Sequence, residues 1–386
     1  TFLDDDGNAS FHLRQGDCEV ARHDAMLECA AADIVAMCEY LLTTRDRVEI
    51  FKNIRLLERS ADFLDSRRDP DNGLFRAGPA SNLLAPSYAG TRMEDGSYSW
   101  GYLAGLQVNY CAALSRLIEV EKLAQQADAV KRYSARLDAA LKALPQLMTE
   151  GGYLVKYIDQ FGVKHGVYGA EKFGYMEGTC NVDAIAFGVL DLQASHRAYA
   201  AMKAVAGLWY KGLIRNNYPI LDDTYDHWGT KEPKELLWRY GFWVDGGVWG
   251  TNVARMVLAQ YRLNDFDGVW ASLSTIMAEM RQGTANAIWI STDMGTSGRP
   301  NELDTYAVPG AALRGLWECR YDAESLTIVP HVPPGIKHFR QKQPLRFGKK
   351  RIYLEIENEG SRLLSAKVNG DVASVTDRLR LPYVSL

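Results

Sequence analysis

Carboxylates beside aromatic residues in glycine-rich loops are the clearest chemical signal in this sequence. Glu94 and Asp95 precede Gly96 and lie close to Tyr98 and Trp100 along the chain. Aromatic residues make up 11% of the protein. Pyranose rings have apolar faces that stack on flat aromatic side chains, and carboxylates bind the ring hydroxyl groups. These loops therefore predict a carbohydrate-binding cleft.

Other loops carry further candidates of the same two kinds. Towards the C-terminus the candidate carboxylates are Asp293, Glu302 and Asp304. The remaining candidate substrate-binding residues are Glu177, Asp223, Trp243, Asp245 and Trp249. Each loop acid could instead be solvated or could cap a helix N-terminus, where the helix dipole favours negative charge. The Trp249 side chain could equally be part of a hydrophobic core.

Composition and motifs argue against several other classes of protein. The 44 Lys and Arg residues are balanced by 48 Asp and Glu, a net charge of −4 that does not favour a nucleic-acid partner. The sequence contains no run of about 18 apolar residues, the length that a membrane-spanning helix needs. Six widely spaced cysteines without a C-x-x-C motif indicate reduced, mostly buried thiols and a cytoplasmic location. No metal-ligand spacing, phosphate loop or G-x-S-x-G elbow is present, so we expect neither a metal nor another cofactor.

The elements that must position these loops are helices. Apolar residues at helical spacing predict nine of them, at about 23–44, 46–66, 100–123, 127–148, 182–192, 195–210, 249–263, 265–281 and 307–317. Short turns join the helices in pairs, and long loops follow the pairs at 67–99, 150–180, 212–247 and 283–304. Because the short turns lie at one end of the hairpins, the long loops must emerge at the other. Stacked hairpins curl into a ring, so we expect a common mouth over its centre.

The pattern changes to alternation after Glu318. Strands are predicted at 325–329, 351–356, 363–368 and 379–384, with a hairpin turn at Asn369-Gly370. One further strand is predicted at 153–157. We therefore divide the chain into a helical catalytic domain, 1–319, and a small C-terminal β module, 320–386.

Four stretches in a fixed order resemble a known group of enzymes. They are D-P-D-N-G-L at 69–74, Y-G-F-W-V-D-G-G-V-W at 240–249, G-T-A-N-A-I-W at 283–289, and Y-A-V-P-G-A at 306–311 followed by L-T-I-V-P at 326–330. Together they resemble the six-hairpin glycoside hydrolases, which include trehalase, α-L-rhamnosidases, neutral invertases and debranching-type glucosidases. The resemblance implies a mainly α fold, an (α/α)6-type toroid with a small C-terminal β-sandwich module. Nine predicted helices instead of twelve indicate an incomplete ring or one completed by another segment.

The resemblance also implies inverting hydrolysis by a general acid and a general base. The acid would lie in the first long loop, where we favour Asp95 and then Glu94. The base would lie in the last long loop, where we favour Glu302 over Asp293. Ile290 stands where rhamnosidases have their base, and Asp293, three residues on, could replace it. In an inverting pair the two carboxyl groups stand roughly 6.5–9.5 Å apart to admit a water molecule.

Two other functions fit the same residues. A non-catalytic carbohydrate-binding relative would keep the cleft without turnover. A polysaccharide lyase on a related toroid would need a Tyr or His base and a group that neutralises a carboxylate, and the available residues are Tyr98, Tyr175, His227 and Arg299. An incomplete ring would expose apolar helix faces, which also suggests a homo-oligomer.

Overall fold

The computed structural model describes most of the helical region and the C-terminal strands. The ranges are 27–77, 100–220, 246–279, 281, 302–360 and 363–385, with short strand segments at 2–3, 9–10, 12–13, 20–21, 289–291 and 295–296. Only the backbone is described for these short segments and for residues 27–29, 77, 302–306 and 385.

Nine α-helices are present in these ranges, as the sequence predicts. Their bounds are α1 (Leu27–Thr44), α2 (Arg47–Asp65), α3 (Ala104–Leu123), α4 (Ala127–Ala143), α5 (Thr179–Ala186), α6 (Leu192–Ala204), α7 (Gly250–Arg262), α8 (Phe266–Glu279) and α9 (Glu302–Trp317). Short 3₁₀-helices occupy Leu144–Leu147, Ala206–Leu208 and Tyr383–Ser385. None of these nine helices is long and apolar enough to cross a membrane.

Strands are short and antiparallel throughout. In chain order they are β1 (Phe2–Leu3), β2 (Ala9–Ser10), β3 (His12–Leu13), β4 (Val20–Ala21), β5 (Arg76–Ala77), β6 (Gly101–Leu103), β7 (Tyr157–Asp159), β8 (Lys164–His165), β9 (Met176–Glu177), β10 (Trp209–Tyr210), β11 (Leu213–Ile214), β12 (Asn217–Tyr218), β13 (Val248–Trp249), β14 (Trp289–Ser291), β15 (Gly295–Thr296), β16 (Cys319–Tyr321), β17 (Ser325–Ile328), β18 (His338–Arg340), β19 (Leu345–Phe347), β20 (Lys350–Ile352), β21 (Glu355–Glu357), β22 (Ala366–Val368), β23 (Asp371–Ala373) and β24 (Leu379–Pro382).

Several predicted helix and strand boundaries are wrong. Helix α3 was predicted from residue 100 but begins at Ala104, because Gly101–Leu103 pairs as strand β6. Helix α5 begins at Thr179 and helix α9 at Glu302, three and five residues before the predicted starts. The first turns of both helices contain polar residues, so the apolar periodicity starts later than the helix. The predicted strand at 153–157 is Tyr157–Asp159.

The turns between paired helices each contain one residue in the left-handed conformation. Arg45, Gln125 and Asn264 have φ of 53°, 61° and 56°, and Gly188 has 68° in the turn between α5 and α6. A left-handed residue after the last helical turn ends a helix and reverses the chain within a few residues. The four hairpins α1–α2, α3–α4, α5–α6 and α7–α8 therefore have short connections at the same end, which we call the turn end.

The odd-numbered helices form the inner layer of a ring. Each contacts the next, α1 with α3, α3 with α5, α5 with α7 and α7 with α9. A 3.1 Å ion pair between Glu39 of α1 and Arg314 of α9 brings the first and last of them together. Fifteen of the 20 residues of α3 are buried, whereas only four of the 17 in its partner α4 are. A helix in the outer layer buries only one apolar stripe and exposes its other faces, as α4 does. The even-numbered helices therefore form the outer layer.

The C-terminal strands pack against the turn end. The Gly348 N–H donates to the Thr43 carbonyl over 2.7 Å, and Arg45 donates to the Ala323 carbonyl over 2.7 Å. His331 likewise hydrogen-bonds Asn264 in the α7–α8 turn at 2.8 Å. The predicted Asn369-Gly370 hairpin is confirmed, since β22 and β23 pair across two residues with positive φ. The described part of the module thus packs on the turn end of the ring.

Cysteines in the described ranges are free thiols, as predicted. Cys38, Cys111 and Cys180 are buried, and Cys319 is half-buried. Burial raises the pKa of both Cys111 and Cys319 to about 12. These thiols are therefore protonated and behave as small apolar core residues.

Helix α2 depends on a side-chain cap at its first turn. The Asp46 carboxylate accepts from the N–H groups of Val48 and Glu49, at 3.0 and 3.3 Å. We expect Asp46→Ala to lower the free energy of unfolding by about 1 kcal/mol, because two N–H groups lose their acceptor. Urea unfolding followed by circular dichroism measures this change. Asp46→Asn, which keeps the accepting oxygen, should lose less than half as much, and equal losses would contradict a capping role.

Candidate active site

Short strands join the long loops into one rim at the end of the ring opposite the turns. Strand β6, just before α3, pairs with β7, and β9, just before α5, pairs with β12. Strand β13, just before α7, pairs with β14 from the loop that precedes α9. We call these strands the rim. In the segments that the structure describes, each of the four long loops is joined to the next by a strand pairing; that all four meet at a common mouth stays a prediction.

A buried ion pair fixes the start of helix α5. The Lys156 Nζ lies 2.7 Å from Glu177 Oε1, with side chains only 2% and 1% exposed. The other carboxylate oxygen of Glu177 accepts from the Cys180 N–H at 2.8 Å. Glu177 was predicted as a substrate-binding residue, and both of its oxygens have protein partners in this structure.

A second carboxylate lies further along helix α5. Asp183 Oδ2 is 3.2 Å from Arg255 Nη1 of α7, while its Oδ1 is buried without a hydrogen-bond partner among the described residues. Burial raises the pKa of Asp183 to about 6, against the opposing effect of the Arg255 charge. The Arg255 guanidinium is also 5.9 Å from the ring of Trp249 on the rim. The half-buried Trp249, a predicted substrate-binding residue, therefore has a charged pair directly behind it.

Trp100 immediately precedes strand β6 and belongs to an aromatic cluster. The Arg76 guanidinium is 4.2 Å from its ring centre, and the Tyr102 ring meets it edge-on at 5.5 Å. Asp69, the first residue of the D-P-D-N-G-L stretch, accepts from Tyr102 at 2.6 Å and from Arg76 at 2.8 Å. The hydrogen bond from Tyr102, with that from the Asp71 N–H, lowers the pKa of Asp69. Asp69 therefore positions the groups that support Trp100.

Asparagine side chains connect the loop before α7 to the start of α5. Asn216 Oδ1 accepts from Asn252 at 3.0 Å and from the Thr179 hydroxyl at 3.4 Å. Asn217 Oδ1 accepts from the Gly246 N–H at 2.8 Å. Buried amides with several partners hold neighbouring backbones in one arrangement. The rim is thus cross-linked between loops that are far apart in sequence.

Several candidate catalytic and ligand-binding residues lie outside the described part of the chain. These are Glu94, Asp95, Tyr98, Asp223, Trp243, Asp245 and Asp293, together with the lyase candidates His227 and Arg299. Glu302 and Asp304 belong to the first turn of α9, where only the backbone is described. Tyr175, considered as a lyase base, is only 3% exposed. Among the described residues, no group of three or more His, Cys, Asp and Glu is arranged to hold a metal ion.

Sequence reasoning missed Lys156, Asp183 and Arg255. All three are charged residues within stretches that are otherwise apolar and buried. A charge in a buried stretch is rarely tolerated without a partner, so it can indicate an ion pair before the partner is known. The partner itself cannot be read from spacing, since Asp183 and Arg255 are 72 residues apart.

The raised pKa of Asp183 gives a pH-dependent stability. A carboxyl whose pKa is raised from 3.8 to about 6 binds its proton more tightly when folded. Binding of this proton stabilises the folded state. The contribution is fully present below 3.8, the pKa of the carboxyl in the unfolded chain, and is lost as pH rises through about 6, its pKa in the folded protein. Two pKa units correspond to roughly 3 kcal/mol. Urea titrations give the free energy of unfolding of the wild type and of Asp183→Asn at pH 4 and at pH 7. Between these two values of pH, we expect the wild type to lose about this amount of stability relative to the variant. A constant difference across this range would contradict the burial effect.

Comparison with known proteins identifies the architecture. No protein-family model matches the sequence, and no curated protein sequence matches it significantly. Solved structures do match. A sialidase superimposes with a TM-score of 0.61 at 12% identity, over 90% of this chain and 32% of that protein. A GH63 mannosylglycerate hydrolase from Thermus thermophilus superimposes with a TM-score of 0.54 at 13% identity, over 81% of this chain and 85% of that protein. A rhamnosidase from Klebsiella oxytoca superimposes with a TM-score of 0.51 at 11% identity, over 80% of this chain and 50% of that protein.

These similarities concern the fold, because sequence identity is low in every case. The chain spans about a third of the sialidase and half of the Klebsiella rhamnosidase, but most of the GH63 hydrolase. The predicted fold class is confirmed by the inner and outer helices, the rim and the C-terminal strands taken together. The chain therefore has a mainly α-helical toroid with a C-terminal strand module, the fold that these hydrolase structures share with it.

Proposed function

We propose that this protein is an inverting glycoside hydrolase that acts on an oligosaccharide or glycoside at the rim. Asp95, with Glu94 as the alternative, donates a proton to the leaving oxygen. Glu302, with Asp293 as the alternative, removes a proton from water on the opposite face of the sugar. The reaction needs no cofactor, because a protonated and an ionised carboxyl supply both proton transfers.

One observation carries this proposal: strand pairings before α3, α5 and α7 link each long loop to the next. The first long loop, which contains both acid candidates, enters the rim at β6. Helix α9, which begins at the base candidate Glu302, follows the loop that supplies β14. The described ends of the first and last long loops therefore both lie at the rim. This arrangement supports a pair of carboxyls on either side of one ligand.

The described groups of the rim support carbohydrate binding around this pair. Trp249 on strand β13 and Trp100, just before β6, are half-buried rings suited to stack on sugar faces. Behind them, Arg76 and Arg255 hold the rings in place through contacts of 4.2 and 5.9 Å. Rigid support of this kind is what a binding site needs in order to orient a substrate. We assign the site to the helical domain, 1–319, and packing against the turn end to the module, 320–386.

A screen of glycosides with nuclear magnetic resonance detection tests the proposal. The full chain is incubated with neutral and acidic oligosaccharides, and the anomer of the first-formed product is recorded before mutarotation. We expect reducing ends with inverted configuration. Products with an unsaturated uronide that absorbs in the ultraviolet would instead indicate a lyase. Saturable sugar binding without turnover would indicate a non-catalytic relative. Either of the last two outcomes would overturn the proposal.

A further inference from the structure

A cavity of about 210 Å³ lies on the ring axis near the turn end. All five inner helices contribute to its lining, which includes Glu39 of α1, Arg116 of α3 and Arg262 of α7. Glu318, which follows α9, and Arg320 of β16 complete it beside the C-terminal module. The rim lies at the opposite end of the same helices. This cavity, which we call the basal cavity, is therefore separate from the proposed substrate site.

Positive charge predominates in the basal cavity. Its charged lining residues are four arginines and two glutamates, an excess of two positive charges: Glu39, Arg116, Arg262, Arg314, Glu318 and Arg320. Charge of one sign in a concave site with low-dielectric walls attracts ligands of the opposite sign. The surplus is a local feature, because the whole chain has a net charge of −4.

Both glutamates of the basal cavity are already paired. Glu39 lies 3.5 Å from Arg116 and 3.1 Å from Arg314. Glu318 lies 3.0 Å from Arg262 and 2.6 Å from His331. Burial alone would raise the pKa of Glu318, but the hydrogen bond to His331 and the Arg262 charge hold it below its ordinary value. Both carboxylates are therefore already engaged by cationic or histidine side chains, and neither is left to pair with the remaining arginines.

Donors of the arginines remain available. The Nε–H of Arg262 is buried and has no hydrogen-bond partner among the described residues. Arg320 is exposed and has no ion-pair partner in the part of the chain that the structure describes. Arg116 is 9% exposed, and burial lowers its pKa, as do the nearby charges of Arg320 and Arg314, against the effect of Glu39. The guanidinium groups thus repel one another, and an anion between them would remove this repulsion.

We propose that the basal cavity binds a small phosphate dianion, either inorganic phosphate or a phosphate monoester. A dianion matches the surplus of two charges. Planar guanidinium groups donate parallel N–H bonds to phosphate oxygens, and arginines from several elements can surround a tetrahedral anion. The buried Nε–H of Arg262 would gain the acceptor that it lacks. The site is independent of the proposed hydrolysis at the rim.

Calorimetric titration of the full chain with inorganic phosphate tests this inference. Chloride keeps the ionic strength constant, and glucose 6-phosphate is titrated in parallel as a monoester. We expect one site per chain, for at least one of the two ligands, and a rise in Tm when it binds. The tighter ligand then identifies the source of the phosphate group. If neither gives heat or a Tm change beyond that of chloride, the basal cavity is not a phosphate site.

Arg314→Gln/Arg320→Gln is the decisive variant, because both side chains are exposed and the charge surplus is removed. We expect phosphate binding at least tenfold weaker. The matched control is Arg55→Gln/Arg351→Gln, which changes net charge equally at exposed positions outside the cavity. If the double variant is less stable than the wild type, Arg320→Gln alone replaces it in the binding test, because this substitution breaks no ion pair in the described part of the chain. Binding unchanged in the cavity variants, or equally weakened in the control, would overturn the proposal.

Discussion

Asp95→Asn should reduce kcat/KM on an unactivated glycoside by about 10²–10⁴-fold, because the leaving oxygen then loses its proton donor. Glu302→Gln should cause a loss of similar size, because the attacking water loses its base. The two losses have different signatures. A nitrophenyl glycoside, whose leaving group needs little protonation, should restore much of the rate in Asp95→Asn but not in Glu302→Gln. Steady-state kinetics on both substrate types measures the effect.

The adjacent carboxyls provide matched controls for this pair. Glu94→Gln and Asp293→Asn remove the same kind of group from the same two loops and should change kcat/KM by less than tenfold. If Glu94→Gln shows the large loss and the leaving-group rescue, the acid is Glu94 and not Asp95. The same comparison assigns the base to Asp293 or Glu302. Wild-type rates in all four variants would contradict catalysis by a carboxyl pair.

Lys156→Met should lower the free energy of unfolding by about 3–5 kcal/mol. The reason is that the Glu177 carboxylate would stay buried at 1% exposure without the cation that lies 2.7 Å from it. Lys156→Met/Glu177→Gln should recover at least half of the loss, since the charge is gone and a Gln oxygen can still accept from the Cys180 N–H. Urea unfolding followed by tryptophan fluorescence and by circular dichroism gives both values.

A surface lysine provides the control for this pair. Lys52 is 70% exposed and lies 3.9 Å from Glu49, so Lys52→Met should change stability by no more than about 0.5 kcal/mol. Equal effects of Lys52→Met and Lys156→Met would show that burial does not determine the cost. A double variant less stable than Lys156→Met alone would indicate that Glu177 acts mainly through the helix α5 N-terminus.

The ring could be predicted from sequence because its turns are local features. Arg45, Gln125 and Asn264 each stand between two apolar periodic segments, and each has the left-handed backbone that reverses the chain. Helix starts were harder to predict. Helix α9 begins with Glu302 in a polar first turn, which carries no apolar periodicity although polar residues are favourable at that position.

The interior of the site depends on partners that are distant in sequence. Lys156 and Glu177 belong to one long loop but are 21 residues apart, and Asp183 and Arg255 belong to different helices. No local pattern specifies which charge meets which, because the pairing is set by how the helices pack around the axis. The loop positions of Glu177 and Trp249 were predictable. Their partners were not predictable, because the contact of Glu177 with Lys156 and that of Trp249 with Arg255 are tertiary contacts.

A crystal structure of Asp95→Asn with its best oligosaccharide substrate tests the central claim most directly. We expect the sugar on the rim, with the scissile bond between residue 95 and the Glu302 carboxyl and the two groups roughly 6.5–9.5 Å apart. Trp100 or Trp249 should lie against a pyranose face. A sugar bound elsewhere on the ring, or side chains 95 and 302 on different faces of the molecule, would contradict the account.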